Sequence, residues 1–215
     1  ALKMTFNAIG GGANESDMIE AWEWCITHQN DDPANPIMII STSFGVGYFT
    51  SEAVCDADYS GMTTAAANAK AAGMTLFVST GNDGFCDGTE WPGCLSDVIG
   101  VGAVYDADIG PHPNPGVGCI ATKSCVCYTT NCPCSGKCYV DATTSADQVT
   151  TYSNSATFME LFAPSNDTYT TGIGGTYDTD FGGTSAACPY AAGAGAVLQS
   201  AAKAGTGSYL TPDEV

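Results

Sequence analysis

Apolar residues along the chain gather into short unbroken runs, and between the runs they recur at helical spacing. The runs at residues 2–6, 38–43, 75–79, 98–104 and 160–163 have the length of strands, and that at 75–79 reads as buried. Residues 16–27 carry Met18, Ile19, Trp22 and Ile26 at the spacing of one helix face. Residues 60–72 and 184–202 are rich in alanine and predict two further helices. Strand and helix alternate, which predicts an α/β fold: a doubly wound, mostly parallel sheet with helices on both faces. The 215 residues suit one domain of ordinary size, and no internal repeat is visible. Residues 107–148 interrupt the alternation and read as a cysteine-rich loop insertion within that domain.

Two stretches place reactive side chains at the ends of these elements. In FGGTSAACPYAAG, which begins at Phe181, two glycines lead into a small-residue helix with Ser185 in its first turn. Unpaired N–H groups and the positive end of the helix dipole lie there. A serine in that position can act as a nucleophile whose developing oxyanion meets ready donors. Thr184 or Ser185 would serve equally as a helix cap. Gly193 and Gly195 permit close packing, so the helix is expected to be buried, and Pro189 falls early enough to be tolerated. In MTLFVSTGNDGF, from Met74 to Phe85, an apolar strand runs into a glycine-flanked turn tipped by Asn82. Ligands bind at such C-terminal strand ends in parallel sheets, and an Asn there can donate to an oxyanion; Gly-Asn-Asp-Gly is also ordinary turn chemistry.

Taken together and in order, these stretches resemble the subtilisin-like serine proteases, or subtilases. GGTSAACP resembles the family's nucleophile motif and FVSTGNDG its oxyanion strand and turn. IMIISTSFG (37–45) is similar to the strand that walls the substrate cleft, with Phe44 in place of leucine. WPGCLSDVIGVGAVYD (91–106) and TTYSNSATFMELFAPS (150–165) resemble the segment beneath the S1 pocket and the Ser-Asn…Ala-Pro segment. The resemblance implies a three-layer α/β/α fold and a serine endopeptidase with Ser185 as nucleophile and Asn82 in the oxyanion hole. It implies substrate binding along Ser43, Phe44 and Gly45, and along Ser79, Thr80 and Gly81. It also implies that Glu90 lies at the floor of S1, where a carboxylate would favour Lys or Arg at P1. A Glu90 turned to water would instead leave a broad apolar pocket.

In subtilases the triad runs Asp, His, Ser along the chain. The Asp and His are therefore expected upstream of the strand at residues 2–6, in a segment of the same domain, and the 215 residues alone are expected to be inactive. His28 closes a helix on the outer layer and His112 sits in a proline loop, GPHPNPG; neither has the family's histidine surroundings. A catalytically inactive extracellular binding module, built on the same scaffold and using the insertion, is the alternative from another class.

Charge narrows the partners. Twenty-three acidic residues stand against five lysines, a net charge of −18, which disfavours nucleic acid and anionic membranes as partners. A protein or peptide substrate is what the resemblance to subtilases implies. No stretch reaches membrane-spanning length. The carboxylate surplus admits structural Ca²⁺, although no twelve-residue calcium loop is present, and catalysis is expected to need no cofactor or metal. Eleven cysteines indicate an oxidising compartment and a secreted protein. Cys25 and Cys188 read as buried small residues, and one bridge is expected among Cys55, Cys86 and Cys94, all placed in loops. Cys119, Cys125, Cys127, Cys132, Cys134 and Cys138 read as three disulfides, with a thiolate metal site as the alternative.

Overall fold

The computed structural model describes residues 14–114, 139–141 and 143–215. In chain order these form helix α1 (Glu15–Thr27), strands β1 (Ile39–Thr42) and β2 (Val46–Phe49), and helices α2 (Glu52–Asp58) and α3 (Ser60–Ala71). Strands β3 (Thr75–Ser79), β4 (Thr89–Trp91), β5 (Ile99–Val104), β6 (His112–Asn114), β7 (Tyr139–Asp141) and β8 (Leu161–Pro164) follow. The hairpin β9 (Thr168–Thr171) and β10 (Tyr177–Phe181) precedes the long helix α4 (Thr184–Thr206) and a 3₁₀ turn, Pro212–Glu214.

Strands β1, β3, β5 and β8 form one parallel sheet in the order β1-β3-β5-β8. All five residues of β3 are buried, as its apolar run requires, and its side chains alternate between two cores. Leu76 and Val78 face Met18 and Trp22 of α1 and Met62, Ala66 and Ala69 of α3. Phe77 faces the other way, onto Ala187, Cys188, Ala191 and Ala192 of α4. Helix α4 crosses all four parallel strands. The fold is therefore the mostly parallel α/β arrangement with helices on both faces that the alternation predicts.

Small residues set the spacing between α4 and the sheet. A Cβ on Gly195 would sit 2.9 Å from the Phe77 ring, so only glycine lets the helix lie this close. Gly193 has open space around it, and Val197 and Leu198 are exposed. Helix α4 is thus amphipathic rather than buried all round, because it forms an outer layer and its far side meets solvent.

Several sequence expectations are displaced. Cys55 lies in α2 rather than in a loop, and its bridge runs to Cys94, with Cα atoms 5.9 Å apart. Cys86 is disulfide-bonded as well. Cys188 is buried but Cys25 only half-buried, since it lies at the edge of the apolar face of α1. His112 belongs to β6, which pairs antiparallel with β7 across the insertion, rather than to an irregular loop. The strand expected at residues 2–6 and the six insertion cysteines from Cys119 to Cys138 lie outside the described residues. Among the described residues, no helix is long and apolar enough to cross a membrane, and no three His, Cys, Asp or Glu side chains gather as a metal site.

Candidate active site

The C-terminal ends of β1 and β3 meet the N-terminus of α4, and this junction collects the reactive side chains. Helix α4 starts after Gly183, whose φ of +78° lies in the left-handed region. A Cβ there would also come within 3.1 Å of Asn82 Oδ1, so backbone geometry and close approach both require glycine. Ser185 follows as the second residue of the helix, partly exposed, with its N–H among the unpaired donors of the first turn. Pro189, one turn later, has no N–H to donate to the Ser185 carbonyl. The Ser43 hydroxyl donates to that carbonyl instead, at 2.9 Å, and so ties the end of β1 to the nucleophile turn.

Asn82 is exposed at the tip of the turn after β3. Its Oδ1 accepts from the Thr184 N–H at 2.8 Å and from the Thr184 hydroxyl at 3.1 Å. The Asn82 oxygen is thereby held against the helix start. The Thr184 hydroxyl also accepts from the Gly81 N–H at 3.2 Å. Thr184, fully buried, therefore clips the Asn82 turn to the start of α4 and is more than a helix cap.

The remaining predicted residues line the same junction. Ser43 is exposed and Phe44 and Gly45 are half-exposed. The Ser79 hydroxyl donates to the Phe44 carbonyl at 3.3 Å, which joins the two strand ends. Thr80 is buried; its hydroxyl lies 3.3 Å from the Val101 carbonyl and 3.2 Å from that of Asn154. Glu90, in β4, points inward and is only 9% exposed, so the loop does not turn it to water. A Cβ on either Gly45 or Gly81 would collide with its carboxyl group. The two glycines therefore make the slot that admits Glu90. Desolvation pushes the Glu90 pKa up to about 7 from an ordinary 4.5, against hydrogen bonds from the Asn82 N–H and the Asn154 amide. Trp91, buried beside it, stacks on Tyr59 at 4.5 Å and meets Phe44 edge-on at 6.0 Å.

Neither histidine hydrogen-bonds to Ser185. His28 caps α1, stacks on Trp24 at 4.2 Å and holds its Nδ1 2.9 Å from the Trp24 carbonyl. His112 meets Tyr105 edge-on at 5.9 Å. Both are occupied elsewhere in the fold. Asn154, in the Ser-Asn stretch of residues 150–165, has no role in the sequence reading above; it is fully buried and hydrogen-bonded to the Asn82 turn. Its only signal in sequence is a polar residue inside an otherwise core-bound segment.

Comparison with known proteins bears on the fold and the family. The chain is 27% identical over 206 residues to the serine protease AprX of Bacillus subtilis (strain 168), spanning 95% of this chain and 42% of AprX. It thus spans less than half the length of that curated relative. The prenylagaramide maturation protease PagA superposes with a TM-score of 0.64 at 21% identity, over 98% of this chain and 57% of PagA. A cold-adapted subtilisin-like serine proteinase gives 0.60 at 18% identity, over 95% and 53% of the two chains. These two likenesses establish the fold. A model of the Subtilase family matches residues 2–215, and the chain belongs to that family of serine proteases.

Proposed function

We propose that the protein is a secreted serine endopeptidase in which Ser185 attacks the scissile carbonyl. The Ser185 proton passes to a histidine supplied from outside these 215 residues, oriented by an aspartate of the same segment. The Asn82 amide and the Ser185 N–H receive the oxyanion as the carbonyl becomes tetrahedral, and collapse of that intermediate expels the amine. Extended substrate pairs its backbone with residues 43–45 on one side and 79–81 on the other. No cofactor takes part in these steps. Glu90 favours Lys or Arg at P1, because a cation is the partner that its desolvated carboxylate lacks. Eleven cysteines and the Cys55–Cys94 bridge support an extracellular setting.

The observation that carries the reading is the clamp on Asn82. Its oxygen is fixed by Thr184, one residue before Ser185, which leaves the amide N–H groups for a substrate oxyanion. Casein turnover by the full-length protein tests it. Ser185→Ala should abolish turnover while leaving the thermal melt within a few degrees of the parent; retained turnover would refute the assignment.

A further inference from the structure

Asn154 is fully buried, and both ends of its amide are engaged by the turn that carries Asn82. Its Oδ1 accepts from the N–H groups of Asp83 and Phe85, each at 3.0 Å. Its Nδ2 donates to the Thr80 carbonyl at 2.8 Å. The Asn154 N–H donates to the Gly81 carbonyl at 3.1 Å, and its own carbonyl accepts from the Thr80 hydroxyl at 3.2 Å. These bonds grip residues 80, 81, 83 and 85, on both flanks of Asn82.

A loop of polar turn residues has little packing of its own to fix its shape. Here one buried amide supplies an acceptor for two N–H groups and a donor for a carbonyl. An amide of the opposite orientation, or an apolar side chain, would leave these buried backbone groups unpaired. Displacement of an oxyanion donor by about 1 Å is enough to cost about a hundredfold in rate.

We propose that Asn154 is a positioning residue for the oxyanion hole: it fixes residues 80–85 so that the Asn82 amide nitrogen faces the developing oxyanion. The inference rests on the reading of Asn82 given above. It differs from a core-filling role in what it predicts for rates. A core asparagine would lower stability and leave kcat per active site unchanged, whereas a positioning residue lowers kcat by acting through Asn82.

The test is a double-mutant cycle in the full-length enzyme, with concentrations set by endpoint titration with a fluorophosphonate so that only folded sites are counted. Asn154→Ala should lower kcat by about ten- to a hundredfold with KM within about threefold. Asn82→Ala should lower kcat by about 10²–10³. The double variant should be no slower than Asn82→Ala within about threefold, since the tether matters only through Asn82. Losses that multiply in the double variant, a change confined to KM, or an unchanged kcat in Asn154→Ala would overturn the proposal. An unchanged kcat in Asn82→Ala would overturn the reading of Asn82, and this inference with it. Asn154→Asp gives a second route should the alanine variant fold poorly. It keeps both acceptor bonds but sets a carboxylate against the Thr80 carbonyl and Glu90. Its kcat should fall as in Asn154→Ala, with KM within about threefold. An unchanged kcat in a variant as stable as the parent would also count against the positioning role.

Discussion

Neutralising Glu90 should reshape the P1 preference of the full-length enzyme, by an amount that the structure bounds. Burial raises the Glu90 pKa from 4.5 to about 7. That rise corresponds to about 3–4 kcal/mol of disfavour for the charged form. A P1 ammonium or guanidinium entering the slot can restore at most about that much, and a realistic share of 1–2 kcal/mol corresponds to about five- to thirtyfold in kcat/KM. Glu90→Gln keeps the size and removes the charge. The ratio of kcat/KM for a P1-Lys substrate over its P1-norleucine counterpart should therefore fall by about that factor. The sign with pH follows from the raised pKa. Below about 7 the free enzyme holds Glu90 neutral and the ratio is low; above it Glu90 is ionised and the ratio is high. Because both substrates use the same nucleophile and base, the ratio cancels the titration of the triad. Peptide profiling at pH 6 and 8.5 measures it, and added salt should weaken the Lys preference. A parent enzyme that prefers large apolar P1 residues at both pH values, with a profile unchanged by Glu90→Gln, would refute the reasoning.

Other perturbations follow from the same contacts. The raised Glu90 pKa also costs stability: above about pH 7 the folded protein carries a charge that it disfavours, and below 4.5 the penalty is gone. Glu90→Gln should accordingly raise the stability of the unliganded enzyme by about 1–3 kcal/mol at pH 8 and by nothing at pH 4, as read from urea unfolding at each pH. Asn82→Leu should lower kcat by about 10²–10³ with little change in KM, the effect known for an oxyanion-hole asparagine in subtilisin, a member of this family; a pure KM effect in peptide hydrolysis would place Asn82 in ground-state binding. Gly183→Ala forces a side chain into a φ of +78° and against Asn82, and should cost about 1–2 kcal/mol together with a measurable loss of kcat. Removing the Cys55–Cys94 bridge, which closes a separation of 39 residues, should cost about 3–4 kcal/mol in denaturant unfolding; a loss below about 1 kcal/mol would mean that α2 is held by packing alone.

The parallel core is legible in sequence because its signals are local. The run at residues 75–79 has an apolar centre, Leu76 to Val78, and becomes a strand buried on both faces, and the alanines after Thr184 become a helix. Helix α2 is not legible, since EAVCDAD is short and polar, and it depends on Cys55 being drawn into the core beside Cys94. Strand β10 has all five residues exposed, so no alternation marks it. Strands β2 and β4 are three to four residues each and are defined by pairing with one another across 40 residues of chain. At the site, Ser185 and Asn82 stand out through glycine-flanked motifs at element ends. The contacts that orient them do not, because they join residues about 70 to 140 positions apart: Asn154 to Asp83, Thr184 to Asn82, Ser43 to Ser185. The inward turn of Glu90 belongs to the same class, since it depends on two glycines, Gly45 after β1 and Gly81 after β3, leaving room for it.

Covalent labelling tests the central claim most directly. The full-length protein, treated with a serine-directed fluorophosphonate and mapped by peptide mass spectrometry, should carry one phosphonyl adduct, on Ser185. Labelling and peptide hydrolysis should be lost at the same rate and both be absent in Ser185→Ala. An adduct on another residue, or hydrolysis that survives Ser185→Ala, would contradict the assignment of the nucleophile and the mechanism built on it.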